Sequence, residues 1–451
     1  MRQWWVHLRH NTRGTFLTVV LMFGAVVSLI IVGGVSSYAL VEHRASNRFY
    51  ERDTAFHIAE AGINYYRWHL AHSPNDYQDG TGQAGPYIHP YMDKANEIIG
   101  YYSLAIDPPA TGTTIVTLRS TGWTTTQPES KRTIQVKLGR STVSDYAFLS
   151  HGSADFGPNS VVHGVIHSNG PIRFDGLTDA WVKSAQNIQG GGGPKSFWQA
   201  PVAPIDFASV SADVAKVRDA SMNGGLHFTS SGAEGYHMVF NGSQFTLYKV
   251  TRRDPYNGEG RWVGSGRTRT WQGAVYYYDI GAETVVGTYT IPANGAIFVE
   301  DDVWVEGVVD GKVTIGAGRF PVQQQTYQEI YIPNHLTYSG SGQDDVIGLV
   351  AQGDIIVPYE APDTLVIQGA LLSQFGRVFR PYYDGNIKSH ITVIGSQMSF
   401  GTSTWRHYDG HGHTISGYDA SVQTYDSNLR TNPPPHFPVN GRYDVISWEE
   451  L

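Results

Sequence analysis

The chain has 451 residues, of which 16% are charged, a formal net charge of -8 and no cysteine. Its length exceeds one small domain. The sparse, slightly acidic charge excludes a general electrostatic hold on nucleic acid, and the lack of cysteine excludes disulfides, thiolate zinc sites and a cysteine nucleophile.

Residues 1–14, MRQWWVHLRHNTRG, form a short basic leader with Arg2, Arg9 and Arg13 and no acid. The run FLTVVLMFGAVVSLIIVGGV (Phe16 to Val35) follows, and no charged residue occurs between Arg13 and Glu42. At ~1.5 Å rise per residue such a run crosses a ~30 Å hydrocarbon core, so 15–41 is expected to be a transmembrane helix. It is longer than the apolar core of a secretory signal peptide and has no clear Ala-x-Ala site, which fits a signal anchor. Beyond the span, Glu42, Arg44, Arg48, Glu51, Arg52 and Asp53 nearly balance. That asymmetry puts the amino terminus in the cytoplasm and the bulk of the chain outside.

No proline occurs between Arg13 and Pro74, so nothing forces the helix to end at the bilayer surface. Phe56, Ala59, Ile63, Tyr66 and Leu70 recur at three- and four-residue steps and share one face, which needs a partner to pack against. A helix over 15–73 is therefore expected, on the order of 85 Å long.

Arg13-Gly14 at the mouth of the apolar run, followed by AFHIAEAGINYYRWHL (Ala55 to Leu70), resembles the amino-terminal region of PilX-like minor pilins of type IV pilus systems. The resemblance implies cleavage between Gly14 and Thr15 and a helix, carrying Phe16, Val19, Gly24 and Ser28, that assembles with other pilin-like subunits. Val19 stands where major pilins usually carry a glutamate, and Thr15 replaces a common aromatic; minor, tip-located members share the first departure. Gly24 and Ser28 form a small-xxx-small pair that allows close helix approach. An ordinary uncleaved anchor is the alternative.

Residues 74–143 are expected to form a small antiparallel neck. SPNDYQDGTGQAGPYIHP reads as a turn-rich loop, and IIGYYSLAID, TTIVTLRSTGW and RTIQVKLGR as three strands on which the helix face would rest. From Ser144 the texture changes to apolar stretches of three to five residues ended by Gly, Asn or Asp, as in NSVVHGVIHSNGPIRFDG and GAIFVEDDVWVEGVVDGKVTIGAG. Runs that short bury a core when stacked in parallel. A β-solenoid head (parallel β-helix-like) over 144–451 is expected, with a β-sandwich as alternative. An insert at about 204–290 holds a short helix (Pro204 to Met222) and hairpins (Leu226 to Gly281). The tail is Pro-rich and extended, with Val445, Ile446 and Trp448 able to dock. YDSNLRTNPPPHFP and the Trp448-Glu449-Glu450 ending resemble carboxy-terminal domains joined to PilX-like amino ends, domains of no established activity.

Chemical motifs are few. His407, Asp409, His411 and His413 are weak metal candidates, since alternate histidines of an extended strand share a face; a glycine-rich turn explains the same residues. His151, His163, His167 and Asn169 read as corner residues. Glu300, Asp301, Asp302 and Glu306 suggest the clustered acids of β-helix polysaccharide hydrolases or lyases, against a solvated corner. Gly190 to Gly193 do not lead into a phosphate-binding helix. Trp181, Trp198, Trp262, Trp271, Trp304, Trp405 and Tyr276 to Tyr278 offer glycan-stacking surfaces or core.

The expected protein is α+β, mainly β: a membrane-anchored, pilin-like surface protein of structural, assembly or adhesive role. Its expected partners are the inner membrane, other pilin-like subunits and a surface glycan or protein, with no nucleic acid and no cofactor. The rival expectation is a signal-anchored cell-envelope polysaccharide hydrolase or lyase.

Overall fold

The computed structural model describes residues 12–109, 115–142, 146–207, 214–263, 270–340, 345–409 and 411–451. One α-helix, α1, runs unbroken over Thr12–His72, 61 residues, or about 90 Å at the standard rise. Between Val35 and Gly62 neither glycine nor proline interrupts it, so the backbone ladder passes from the apolar run into the amphipathic half without a kink.

The second half of α1 rests on an antiparallel sheet. Its strands are β1 (Tyr87–Met92), β2 (Ile98–Asp107), β3 (Ile115–Thr124) and β4 (Arg132–Thr142), followed in spatial order by the C-terminal strand Val439–Glu450. Burial alternates along β3 with the two-residue period of a strand. Tyr102, Leu104, Val116, Leu118, Ile134, Val136 and Leu138 form the face under the helix.

Two strands exceed the three expected. PYIHP is not all loop: Tyr87 starts β1, and Pro90 is tolerated because β1 is an edge strand whose missing donor costs no ladder bond. The other is the C-terminal strand, which returns from the head and pairs Val445 with Leu138 and Trp448 with Val136. That pairing joins positions some three hundred residues apart, beyond any local periodicity.

The head is a large, mostly parallel β body of short strands stacked in columns. One column passes through Leu226, Ile297, Ile315, Leu349, Leu371, Gln397, Phe148, Ile166, Val182 and Trp198, each paired with the next in register. Full burial of each aliphatic side chain there contributes about 1.5–3 kcal/mol.

Spatial order is not chain order. Phe148–Ser150, the first strand of the head, pairs with Gln397–Ser399 near its end, so the segment Phe148–Gln199 continues the stack beyond Ile387–Ser399 and the chain restarts at Leu226 on the opposite end. A seam therefore joins the first and last coils.

The insert becomes a long ribbon. Gln244–Val263 and Thr270–Thr290 pair antiparallel along most of their length, and Gly235–Gly242 ties the ribbon to the parallel strand Val303–Val309. The short helix Val214–Met222 buries Val214 and Val217 against Phe298. The expected helix starts at Pro204, but Pro204, Ile205 and Asp206 are not helical, and residues 208–213 lie outside the described residues.

Candidate functional site

Two surfaces of α1 carry opposite roles. From Phe16 to Tyr50 the helix is exposed apart from a half-buried Val27, with Phe16 73% and Val19 63% accessible. The helix is long and apolar enough to cross a membrane, and none of its most apolar window is covered by the rest of the chain. Gly24 has open space around it, as do Gly33 and Gly34, and Ser28 is exposed. Gly14 and Thr15 fall in the first turn of α1, with side chains outside the described residues.

The other surface is the seat. Ala59, Ile63, Tyr66 and Leu70 are buried in the core shared with the sheet, and Phe56 is half-buried at its margin. The expected face missed Ala55 and Ile58, both fully buried; they sit beside Phe56 and Ala59, widen the same stripe and could have been read from it. Small residues set the spacing. A Cβ on Gly62 would strike Ser120 and Tyr102, and one on Gly122 would strike the Ala55 carbonyl and the Ala59 backbone. Backbone therefore meets backbone where a side chain has no room.

Polar contacts hold both ends of the seat. Glu51 accepts hydrogen bonds from Thr124 at 2.5 Å and Thr126 at 2.7 Å. At the far end the Tyr66 hydroxyl donates to the Asp76 carbonyl at 2.8 Å, and Tyr443 of the C-terminal strand donates to the Pro74 carbonyl at 2.9 Å. Burial raises the Tyr66 phenol above its ordinary value, helped by the Asp76 charge, so it stays a donor.

The histidine cluster is a turn, not an extended strand. Arg406–Tyr408 and Thr414–Thr424 pair antiparallel, and Asp409 caps the connection by accepting from the backbone of His411 at 2.8 Å and His413 at 2.9 Å. These bonds hold its carboxyl below the ordinary aspartate value. The ring of His407 reaches the Arg380 carbonyl instead, at 3.0 Å. Among the described residues no group of three His, Asp or Glu side chains gathers as a metal site.

The candidate acids are each drawn to a different partner. Glu300 lies 3.3 Å from His227, and Glu306 3.5 Å from His237, whose other nitrogen is 2.8 Å from Glu283. Burial opposes charge on His237, yet the two carboxylates together raise its pKa. Asp301 accepts from Ser230 and Ser231.

Asp302 sits beneath the ribbon with Arg253 at 2.7 Å, and Arg253 also reaches Glu234 at 3.1 Å and lies over the Trp304 ring. Beside them Glu329 accepts from the Tyr331 hydroxyl at 2.5 Å; burial, followed by the Asp302 charge, pushes its carboxyl up to about 7. This group fastens the ribbon over Trp304, Tyr331, Ile356 and Phe379 through Val250, Tyr278 and Ile280. Sequence reasoning named Asp302 but not Arg253 or Glu329, because their meeting depends on how the ribbon folds over the stack.

His163 pairs with Asp179 at 2.8 Å, and His167 with Asn169 at 3.1 Å, both corner contacts. Of the aromatic candidates, Trp304 is wholly buried, Trp181 is 45% exposed, and Trp198 and Trp405 are partly buried. The side chains of Trp262 and Trp271 lie outside the described residues.

No family model matches the chain, and no curated protein does. A solved structure to which it is similar is the crystal structure of the competence-associated pilin ComZ from Thermus thermophilus, at 14% identity over 89% of this chain and 97% of that one, with a TM-score of 0.28.

Proposed function

We propose that the chain is a membrane-anchored, PilX-like minor pilin: α1 stands with its amino end in the cytoplasm, the neck and head lie outside, and the head has an adhesive role. The observation that carries this reading is the division of one continuous helix into a bare apolar half and a half seated on the neck sheet. An apolar surface of that extent is unfavourable in water, and lipid or a bundle of like helices covers it equally well. Moving between those two surroundings is what a subunit needs in order to leave a membrane and enter a filament.

Fractionation of cells together with mass spectrometry of the native amino terminus tests the proposal. The full chain is expected in the inner membrane or in sheared filaments, beginning at Thr15, while a chain lacking residues 16–41 is expected in neither. Recovery of the intact chain in the soluble fraction overturns it. The reading is non-enzymatic, with no cofactor. Polysaccharide turnover abolished by Glu300→Gln, Asp302→Asn or Glu306→Gln would favour the tethered hydrolase or lyase instead.

A further inference from the structure

At the seam of the head, where the last coil meets the first, lies a cleft whose empty space, open solvent at its mouth included, is about 580 Å³. Both inner columns lose their apolar character there. Gln397 stands between Leu371 and Phe148 in one, and Gln423 between Val393 and Val162 in the other. Both glutamines line the cleft.

Gln423 is satisfied by donating to the Ala147 carbonyl at 3.0 Å. Gln397 is only 1% exposed and donates to Val378 at 3.3 Å, yet its Oε1 has no hydrogen-bond partner in the protein. Arg406, whose side chain is 13% exposed, donates from Nη2 to Gly412 at 2.9 Å and lies 3.9 Å from Asp419. Its Nε and Nη1 are buried without a protein acceptor.

Unpaired buried polar atoms are costly and uncommon, and three of them around one opening indicate a guest that completes them. The other lining residues define that guest. Trp405 and Tyr408 contribute aromatic groups. Asp155 accepts from the Tyr408 hydroxyl at 2.5 Å and offers further acceptor capacity. A purely apolar guest leaves Arg406 and Gln397 unpaired. A simple anion meets Asp155 and Asp419 as well as the guanidinium. A neutral polyol both accepts from Arg406 and donates to Gln397 and Asp155, while its C–H face suits an aromatic ring.

We infer that the seam cleft binds one pyranose-sized neutral sugar of a surface glycan. The inference deepens the adhesive part of the proposed function and is independent of how α1 is anchored.

The experiment is saturation-transfer NMR and calorimetry of the full chain in detergent micelles with glucose, galactose, mannose, N-acetylglucosamine and N-acetylgalactosamine, for the unaltered protein, Arg406→Ala and Gln397→Leu. At least one sugar is expected to bind, and each substitution to weaken it about tenfold or more, the size of one or two lost hydrogen bonds. Gln397→Leu matches the apolar residues on either side of it, so its thermal unfolding should not fall, and it decides the matter if Arg406→Ala misfolds. Failure of every sugar to bind overturns the inference, even if acetate binds, as does unchanged affinity in Gln397→Leu. Neither result touches the membrane reading, which fractionation and the amino terminus judge.

Discussion

Trp448, in the last strand of the chain, meets Phe56 of α1 edge to face, with ring centroids 5.8 Å apart and planes at 72°. The strand that returns from the head to the neck sheet thus helps clamp α1. Trp448 is 48% exposed, so most of its worth lies in that ring contact and in covering Phe56. Trp448→Ala should cost the neck about 1 kcal/mol, read by thermal unfolding. Removal of residues 439–451 should cost more, since it bares the ladder of β4; an unchanged midpoint in both would refute the clamp.

The close approach at Gly62 and Gly122 makes a second prediction. Gly62→Leu or Gly122→Val should lift α1 from the sheet, with a loss of about 1–3 kcal/mol from overpacking. Limited proteolysis between residues 42 and 73 should speed up in both variants, while Gly24→Leu, in open surroundings, leaves it unchanged.

Arg253 is the hinge pin of the ribbon. Arg253→Ala strands Asp302 beneath it, and breaking a buried pair from one side costs about 3–5 kcal/mol. The paired change Arg253→Met with Asp302→Leu should cost clearly less than the single one. Hydrogen exchange along 244–290 reports ribbon detachment; equal exchange in single and paired variants counts against this account.

Glu329 predicts a pH dependence with a definite sign. Its folded pKa of about 7 lies above the ordinary 4.5, so the folded state keeps a proton that the unfolded chain releases between those values. The associated stability is full below about 4.5 and lost as pH rises through about 7. The unfolding temperature of the head should therefore fall between pH 5 and pH 8 on this account. Asp279, raised to about 6 chiefly by burial, acts in the same direction. Glu329→Gln should flatten the slope, and an identical slope in that variant would remove Glu329 as its cause.

What the sequence made legible was what local pattern determines. The stripe from Phe56 to Leu70, the unbroken passage out of the apolar run and the glycine-cornered short strands all follow from spacing, so the long helix and the mostly parallel head were readable. Pairings between distant segments were not. Nothing near Phe148 announces Gln397, nor anything near Val136 announces Trp448. The histidine segment allowed two readings, and the glycine-rich turn is the one found: Asp409 closes a reversal that sends His407 towards Arg380 and His413 towards Asp409. Gln397 and Gln423 look ordinary in sequence and become conspicuous only beside the residues stacked on them.

The insertion of the whole head between β4 and the strand Val439–Glu450 bears on orientation. A body on a single tether can swivel freely. This one leaves the neck at Thr142 and re-enters at Val439, and those two residues are themselves paired. Turning the head about its stalk would shear that doubled attachment, so any rotation of the rod about its long axis carries the seam round with it by the same angle.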